Sequence, residues 1–291
     1  MRNPANPHKT RKILLITLTF PVIVFLAFFF SFGGYGNHPT SPGLTLPSDS
    51  SLLFAHRGIV GRYPENSLES IAEAKKLGFN ALEIDLRKSA EGNFILFHDV
   101  DCRRMLGAGF EIEDVPVADL KKFPLILDGK VTPCYAPTLK EVLDRYHADF
   151  IFYLDMKLTG FKEADQIAEV LHQYGMVNSS VVASADLLFT LYIEYKYPEI
   201  NTALEGYDAG KEWTWKLFPQ QLKPDYLSGY IGRVNDSHIN WLTRQGLLSR
   251  RIVYGIDSSN FSSAEAMGLQ HFILDYDSVS PDFKDISTPI Q

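Results

Sequence analysis

The chain has 291 residues, 45% hydrophobic and 22% charged, the composition of an ordinary globular protein with material for one large α/β domain or two small ones. Its first 48 residues hold four Lys or Arg and no Asp or Glu, which leaves 24 basic against 35 acidic side chains in the remainder, a formal charge of −11. Such a body argues against a nucleic-acid partner, although a local basic pocket for one phosphate remains compatible with it.

Residues 1–12 read as a cytoplasmic tail. Ile13 to Phe32 follows, 20 residues without charge, which matches the length a helix needs to cross a bilayer. Arg2, Lys9, Arg11 and Lys12 precede this run and no Lys or Arg follows until Arg57, so the positive-inside rule puts the amino terminus in the cytoplasm and the rest on the non-cytoplasmic side, periplasmic or extracellular in a bacterium. A cleaved secretory signal is the competing reading. Against it, the run exceeds the usual apolar core of roughly 7–15 residues, and Phe32-Gly33-Gly34-Tyr35 is a poor cleavage site. Pro21 is tolerable in a membrane helix. Residues 33–50, rich in Gly and Pro, read as a spacer, and 51–291 as the folded domain. Cys102 and Cys134 fit either a single disulfide in an exported domain or two free thiols.

Within the domain, short apolar runs bounded by turn residues predict strands at Leu52–His56, Ala81–Leu86, Phe150–Met156, Val181–Ser184, Thr202–Gly206, Tyr226–Gly229, Ile252–Ile256 and His271–Asp275. Helices are predicted at Ser67–Leu77, Lys162–Gln173, Asp186–Tyr195, Asp236–Gln245 and Ser262–Met267. Strand and helix alternating in this way is the pattern of a (β/α)₈ TIM barrel. One extended run, Phe94–His98, follows strand two too soon for a crossover helix and must pair with it as an antiparallel hairpin turning at Ala90-Glu91-Gly92. Facing residues then have numbers summing to about 181 or 182, which puts His98 opposite Glu83.

Glu83 and Asp85 lie two apart on a strand flanked by Ala81, Leu82, Ile84 and Leu86, so both carboxylates share one face of a buried strand. Buried like charges call for a cation, and oxygen ligands favour Ca²⁺ or Mg²⁺. Asp155 and Lys157 repeat the spacing after an apolar run. Asp155 is a further candidate ligand and Lys157 a candidate for an anionic substrate oxygen, with an internal ion pair between them the alternative. His56 ends the first strand, at the rim where barrel enzymes carry their chemistry, and His98 reaches the same neighbourhood. Two histidines suit general acid and base catalysis near neutral pH, and with a metal and Arg57 beside them the natural reaction is attack on a phosphodiester.

His56-Arg57-Gly58, Pro64-Glu65-Asn66-Ser67, Glu83-Ile84-Asp85-Leu86 and Phe97-His98-Asp99, in this order, resemble the glycerophosphodiester phosphodiesterase family. The likeness continues through Pro137–Leu143, Leu154-Asp155-Met156-Lys157 and Phe272–Tyr276. It implies a barrel with a small insert at about Asp101–Tyr135 partly capping the rim. It further implies His56 and His98 as the acid and base, Arg57 on the phosphate, Glu83, Asp85 and Asp155 as ligands of a divalent cation, Lys157 as the site lysine, and Glu65 orienting Arg57 or approaching the metal. Two features depart from the family: Asp155 replaces the usual Glu, and Tyr254-Gly255-Ile256-Asp257 stands where a Trp-Thr-x-Asn run is usual. The resulting expectation is a membrane-tethered hydrolase of glycerophosphodiesters. Its rivals are a phospholipase acting on intact lipid, with apolar insert residues (Leu106, Phe110, Phe123–Leu127) as a lipid-facing ridge, and an inactive phosphodiester-binding domain.

Overall fold

A computed structural model describes Gly43, Leu44 and residues 51–276. The predicted membrane segment Ile13–Phe32 lies outside these residues, and among the described residues no helix is long and apolar enough to cross a membrane.

Strands β1 (Leu52–His56) and β2 (Ala81–Lys88) flank helix α1 (Leu68–Lys76), and β3 (Phe94–Leu96) folds back on β2. An insert follows, with short helices α2 (Arg103–Leu106) and α3 (Val117–Leu120) and the two-residue strands β4 (Ile126–Leu127) and β5 (Lys130–Val131). From there strands and helices alternate: α4 (Leu139–Tyr146), β6 (Ile151–Met156), α5 (Phe161–Tyr174), β7 (Ser180–Ser184), α6 (Leu187–Lys196), β8 (Asn201–Leu204), β9 (Tyr226–Tyr230), α7 (Asp236–Gln245), β10 (Arg251–Ile256), α8 (Phe261–Ala266) and β11 (His271–Leu274). Eight parallel strands close in the order β1-β2-β6-β7-β8-β9-β10-β11, with β11 returning to β1. The predicted barrel and all eight of its strands are present, each within two residues of its expected bounds.

The barrel interior is filled by Phe54, Tyr153, Val181, Ala183, Ala203, Ile252 and Ile273 among others, the inward set of alternating positions. Outward positions such as Leu82, Ile84, Phe152 and Leu154 pack against Ile71, Val142 and Ile167 of the helices. Helix α4, absent from the predicted helices, begins with a capping box in which Thr138 and Glu141 satisfy each other's backbone N–H groups.

The hairpin has the expected register: Leu86 faces Leu96 and Arg87 faces Ile95, numbers summing to 182. It is shorter than predicted, ending at Leu96 rather than His98. Phe97 still donates its N–H to Asp85 O at 3.1 Å, after which the chain leaves the sheet and His98 is free to turn toward the rim.

The insert has its own core, in which Cys102, Met105, Leu106, Ile112, Leu120, Leu125 and Cys134 are buried. Both cysteines are free thiols. The lipid-facing ridge expected there is not formed: Leu106 and Leu125 are interior, and Phe110 and Phe123 pack edge to face at 5.1 Å within the insert.

Candidate active site

His56 is the last residue of β1, and the chain turns sharply after it. Arg57 has φ 55° and Gly58 φ 81°, both in the left-handed region. A Cβ at Gly58 would stand 2.6 Å from the backbone carbon of Ser70, so only glycine fits. The turn aims the Arg57 N–H at Glu83 Oε2 (3.0 Å) and brings its guanidinium Nε to 2.9 Å from Asp85 Oδ2, while Nη1 donates to Glu65 Oε1 at 3.1 Å. Glu65, for which the resemblance left two roles open, thus contacts the Arg57 guanidinium directly. Arg104 from the insert grips the same carboxylate through both Nη atoms at 2.8 and 2.7 Å, which ties the insert to the rim.

Glu83 and Asp85 on β2 and Asp155 on β6 converge, because Asp85 and Asp155 are register partners on adjacent strands. One ligand atom from each of the three lies within 4.8 Å of the other two, and all three residues are buried. Burial, with the repulsion of Asp85 and Asp155, pushes the Glu83 carboxyl well above its ordinary range. Burial also pushes Asp155 up to about 7, helped by Glu205 and opposed by Lys157. Burial acts against Asp85 as well, but Arg57, Lys157, His98 and Asn66 together hold it below the usual carboxylate value.

Lys157 forms an ion pair with Asp155 and stands 3.2 Å from Asp85 Oδ1, so the Asp–Lys pair and the three-carboxylate cluster coexist. Asp85 Oδ1, although 3.2 Å from Lys157 Nζ, is a buried oxygen that receives no hydrogen bond, and the three converging carboxylates offer only hard oxygen donors. The donor set therefore fits a hard cation.

The two histidines flank this cluster in similar ways. His56 Nδ1 pairs with Asp275, its neighbour across the β1–β11 seam, and His56 Nε2 lies 3.8 Å from Glu83 Oε2. His98 Nδ1 pairs with Asp99 at 2.8 Å, and Asp99 is held down to about 2 chiefly by the hydrogen bond from Arg104. An ionised carboxylate can only accept, so Nδ1 is the donor in each pair.

Five contributors were not among the expected site residues. Asn66, at φ 58° and buried, donates to Asp85 Oδ2 at 2.8 Å and accepts from the Asp85 N–H at 3.2 Å. Asp275 orients the His56 ring and Asp99 the His98 ring, while Arg104 holds both Asp99 and Glu65. Glu205, one residue past β8, accepts from the Tyr153 hydroxyl at 2.8 Å. Its charge acts on Asp155 and helps raise that carboxyl. Asn66 and Asp275 fall inside the resembling runs. For Glu205 and Arg104 the sequence carries no comparable signal.

Residues 56–202 match the model of the glycerophosphoryl diester phosphodiesterase family. A Bacillus subtilis glycerophosphodiester phosphodiesterase is 30% identical over 160 residues, 52% of this chain and 52% of its own. The chain thus spans about half the length of that relative. A glycerophosphodiester phosphodiesterase of Caldanaerobacter subterraneus is 29% identical over 57% of this chain and 71% of its own. Among solved structures, a phosphodiesterase of Oleispira antarctica in complex with the product sn-glycerol-3-phosphate superposes with a TM-score of 0.68 at 24% identity, covering 78% of this chain and 94% of that one. The glycerophosphodiester phosphodiesterase of Agrobacterium tumefaciens gives 0.66 at 18% identity, covering 81% and 98%.

Proposed function

The chain belongs to the glycerophosphoryl diester phosphodiesterase family, and we propose that its rim hydrolyses a glycerophosphodiester to a glycerol phosphate and an alcohol with the help of one divalent cation. The observation that carries this reading is the convergence of Glu83, Asp85 and Asp155 between two histidines whose Nδ1 atoms are each engaged by a carboxylate.

In this mechanism His56 and His98 are the acid–base pair. The glycerol hydroxyl next to the phosphate gives its proton to Nε2 of one histidine as its oxygen bonds to phosphorus. The other histidine protonates the leaving alcohol as its P–O bond breaks, and water then opens the cyclic phosphate with the two roles exchanged. Asp275 and Asp99 fix the ring orientations. Arg57, held by Asp85 and Glu65, and Lys157, held by Asp155, are placed to meet phosphoryl oxygens. Glu83, Asp85 and Asp155 would hold the cation, Ca²⁺ or Mg²⁺ by ligand type, which when bound stabilises charge on those oxygens and orients the ester.

Both histidines retain their orienting carboxylates, which favours turnover over passive binding. An intact two-chain phospholipid lacks the free hydroxyl that this mechanism uses. The Lys and Arg asymmetry around Ile13–Phe32 supports tethering on the non-cytoplasmic side, and a reporter fused after Gln291 that behaves as cytoplasmic overturns that assignment. Mass spectrometry of products from glycerophosphocholine, glycerophosphoethanolamine and glycerophosphoinositol tests the reaction. Glycerol phosphate with a free alcohol is expected. A phosphorylated alcohol with free glycerol, or no hydrolysis, contradicts it.

A further inference from the structure

The short helix α2 carries Arg104 to the place where two halves of the site meet. Cys102, Met105 and Leu106 are buried in the insert core, and Gly107 at φ 64° ends the helix, so the intervening Arg103 and Arg104 face outward. Arg103 stays in solvent beside Asp101, whereas Arg104 reaches back to the rim. Its Nε donates to Asp99 Oδ2 at 2.6 Å, and its Nη1 and Nη2 donate to Glu65 Oε2 and Oε1 at 2.8 and 2.7 Å. One planar group thus commits three donors to two carboxylates, a fork that a lysine cannot reproduce.

Each of those carboxylates also holds a group of the proposed reaction. Asp99 Oδ1 meets His98 Nδ1 at 2.8 Å, and Glu65 Oε1 accepts from Arg57 Nη1 at 3.1 Å. With Oδ2 taken by Arg104, the plane of the Asp99 carboxylate is fixed, and with it the direction from which Oδ1 meets the His98 ring. The His98 backbone is held separately by Arg87 on β2, whose Nε donates to His98 O at 2.8 Å while its Nη1 pairs with Glu113 of the insert at 2.9 Å. His98 lies past the end of β3 and Arg57 past the end of β1, so strand pairing alone does not set these two side chains relative to each other.

We infer that Arg104 is a positioning residue of the proposed reaction: one guanidinium from the insert orients the His98 imidazole through Asp99 and the Arg57 guanidinium through Glu65, so that the acid–base group and the phosphate-binding group share a single frame. The inference rests on the phosphodiesterase reading and deepens it. It gives the insert a part in the chemistry without contact to the reacting atoms, and Arg104 itself neither moves a proton nor forms a bond. Misplacing a reacting group by about 1 Å costs on the order of 10²-fold, which is the scale such a frame protects.

The test compares Arg104→Ala with Lys121→Ala, because the pair of Lys121 with Glu141 at 2.8 Å also ties the insert to the barrel yet touches neither histidine nor Arg57. With glycerophosphoethanolamine as substrate, Arg104→Ala should lower kcat roughly 10- to 10²-fold and raise KM several-fold, while Lys121→Ala keeps both constants. The two effects should separate in double-mutant cycles: adding Arg104→Ala costs little further kcat once Asp99→Asn is present, and little further KM once Glu65→Gln is present. Wild-type kinetics in Arg104→Ala, the same losses in Lys121→Ala, or losses that simply add in both cycles overturn the inference. Ring-nitrogen NMR shifts of His98, assigned by their absence in His98→Ala, give a readout independent of turnover. They should move in Arg104→Ala and stay in Lys121→Ala. If the wild-type chain hydrolyses no glycerophosphodiester, the reaction reading fails; shifts that respond to Arg104 alone still support the positioning, and shifts indifferent to it refute it.

Discussion

Arg57 and Asp85 are locked together across the barrel rim, Nε to Oδ2 at 2.9 Å, by a residue that adopts φ 55° in order to reach. The same strained residue gives its backbone N–H to Glu83, so the turn after β1 and the acidic pair on β2 form one unit. Backbone strain of this kind costs on the order of 1–3 kcal/mol and persists where the surroundings over-determine it.

That unit depends on Gly58. Replacing it with Ala adds a Cβ that meets the Ser70 backbone at a residue whose φ is already positive. Gly58→Ala is expected to lower the thermal midpoint by several degrees and to reduce hydrolysis further than instability alone explains, because Arg57 is displaced. A wild-type melting curve would show that the close approach to Ser70 is relaxed at no cost.

His56→Ala and His98→Ala are each expected to lower kcat roughly 10²- to 10⁴-fold with little change in melting temperature, the usual worth of a positioned proton donor or acceptor. Asp275→Asn should cost less and should shift the pH profile, since it perturbs the His56 ring without removing it. Near-normal turnover in either alanine variant removes that histidine from the chemistry.

A pH-dependent stability term lies away from the rim. Asp225 accepts the Thr202 N–H at 3.1 Å and burial pushes its carboxyl up to about 6, while burial and Asp225 together raise Glu194. A folded-state value above the unfolded one near 3.9 means that the folded chain binds the extra proton, so the stability this contributes is present below about pH 4 and lost as pH rises through 6. Asp225→Asn keeps an acceptor for Thr202 and removes the ionisation. It should raise stability at pH 7.5 by up to about 3 kcal/mol and leave it nearly unchanged at pH 4. Equal effects in denaturant titrations at the two pH values would refute the ionisation account.

The strands were legible because each is an apolar run ended by turn residues, and the hairpin because its spacing excludes a crossover helix. Its register is one of the two sums the turn allows, although the pairing ends at Leu96 and His98 does not sit opposite Glu83. Helix α4 was passed over because Lys140, Glu141, Asp144 and Arg145 dilute its apolar face, although Thr138 and Glu141 mark its start. Of the site, the residues with period-two spacing or in resembling runs were visible. Glu205 was not, since it joins the site from β8 through the Tyr153 hydroxyl of β6, and such cross-strand contacts are written in no single segment. The apolar insert residues misled for a related reason: a small subdomain with its own core and a lipid-facing ridge have the same composition, and only packing tells them apart.

The cation is the centre of the account, and Asp155 is the residue that tests it. Divalent-cation dependence of glycerol phosphate release should be titrated for the chelated wild-type chain, Asp155→Asn and Asp155→Glu. The account predicts no activity without added cation, restoration by Ca²⁺ or Mg²⁺ but poorly by Zn²⁺, a weakened requirement curve for Asp155→Asn, and binding at least as tight as wild type for Asp155→Glu, which restores the longer ligand. Full activity in chelator, or a cation requirement unchanged in Asp155→Asn, would contradict it.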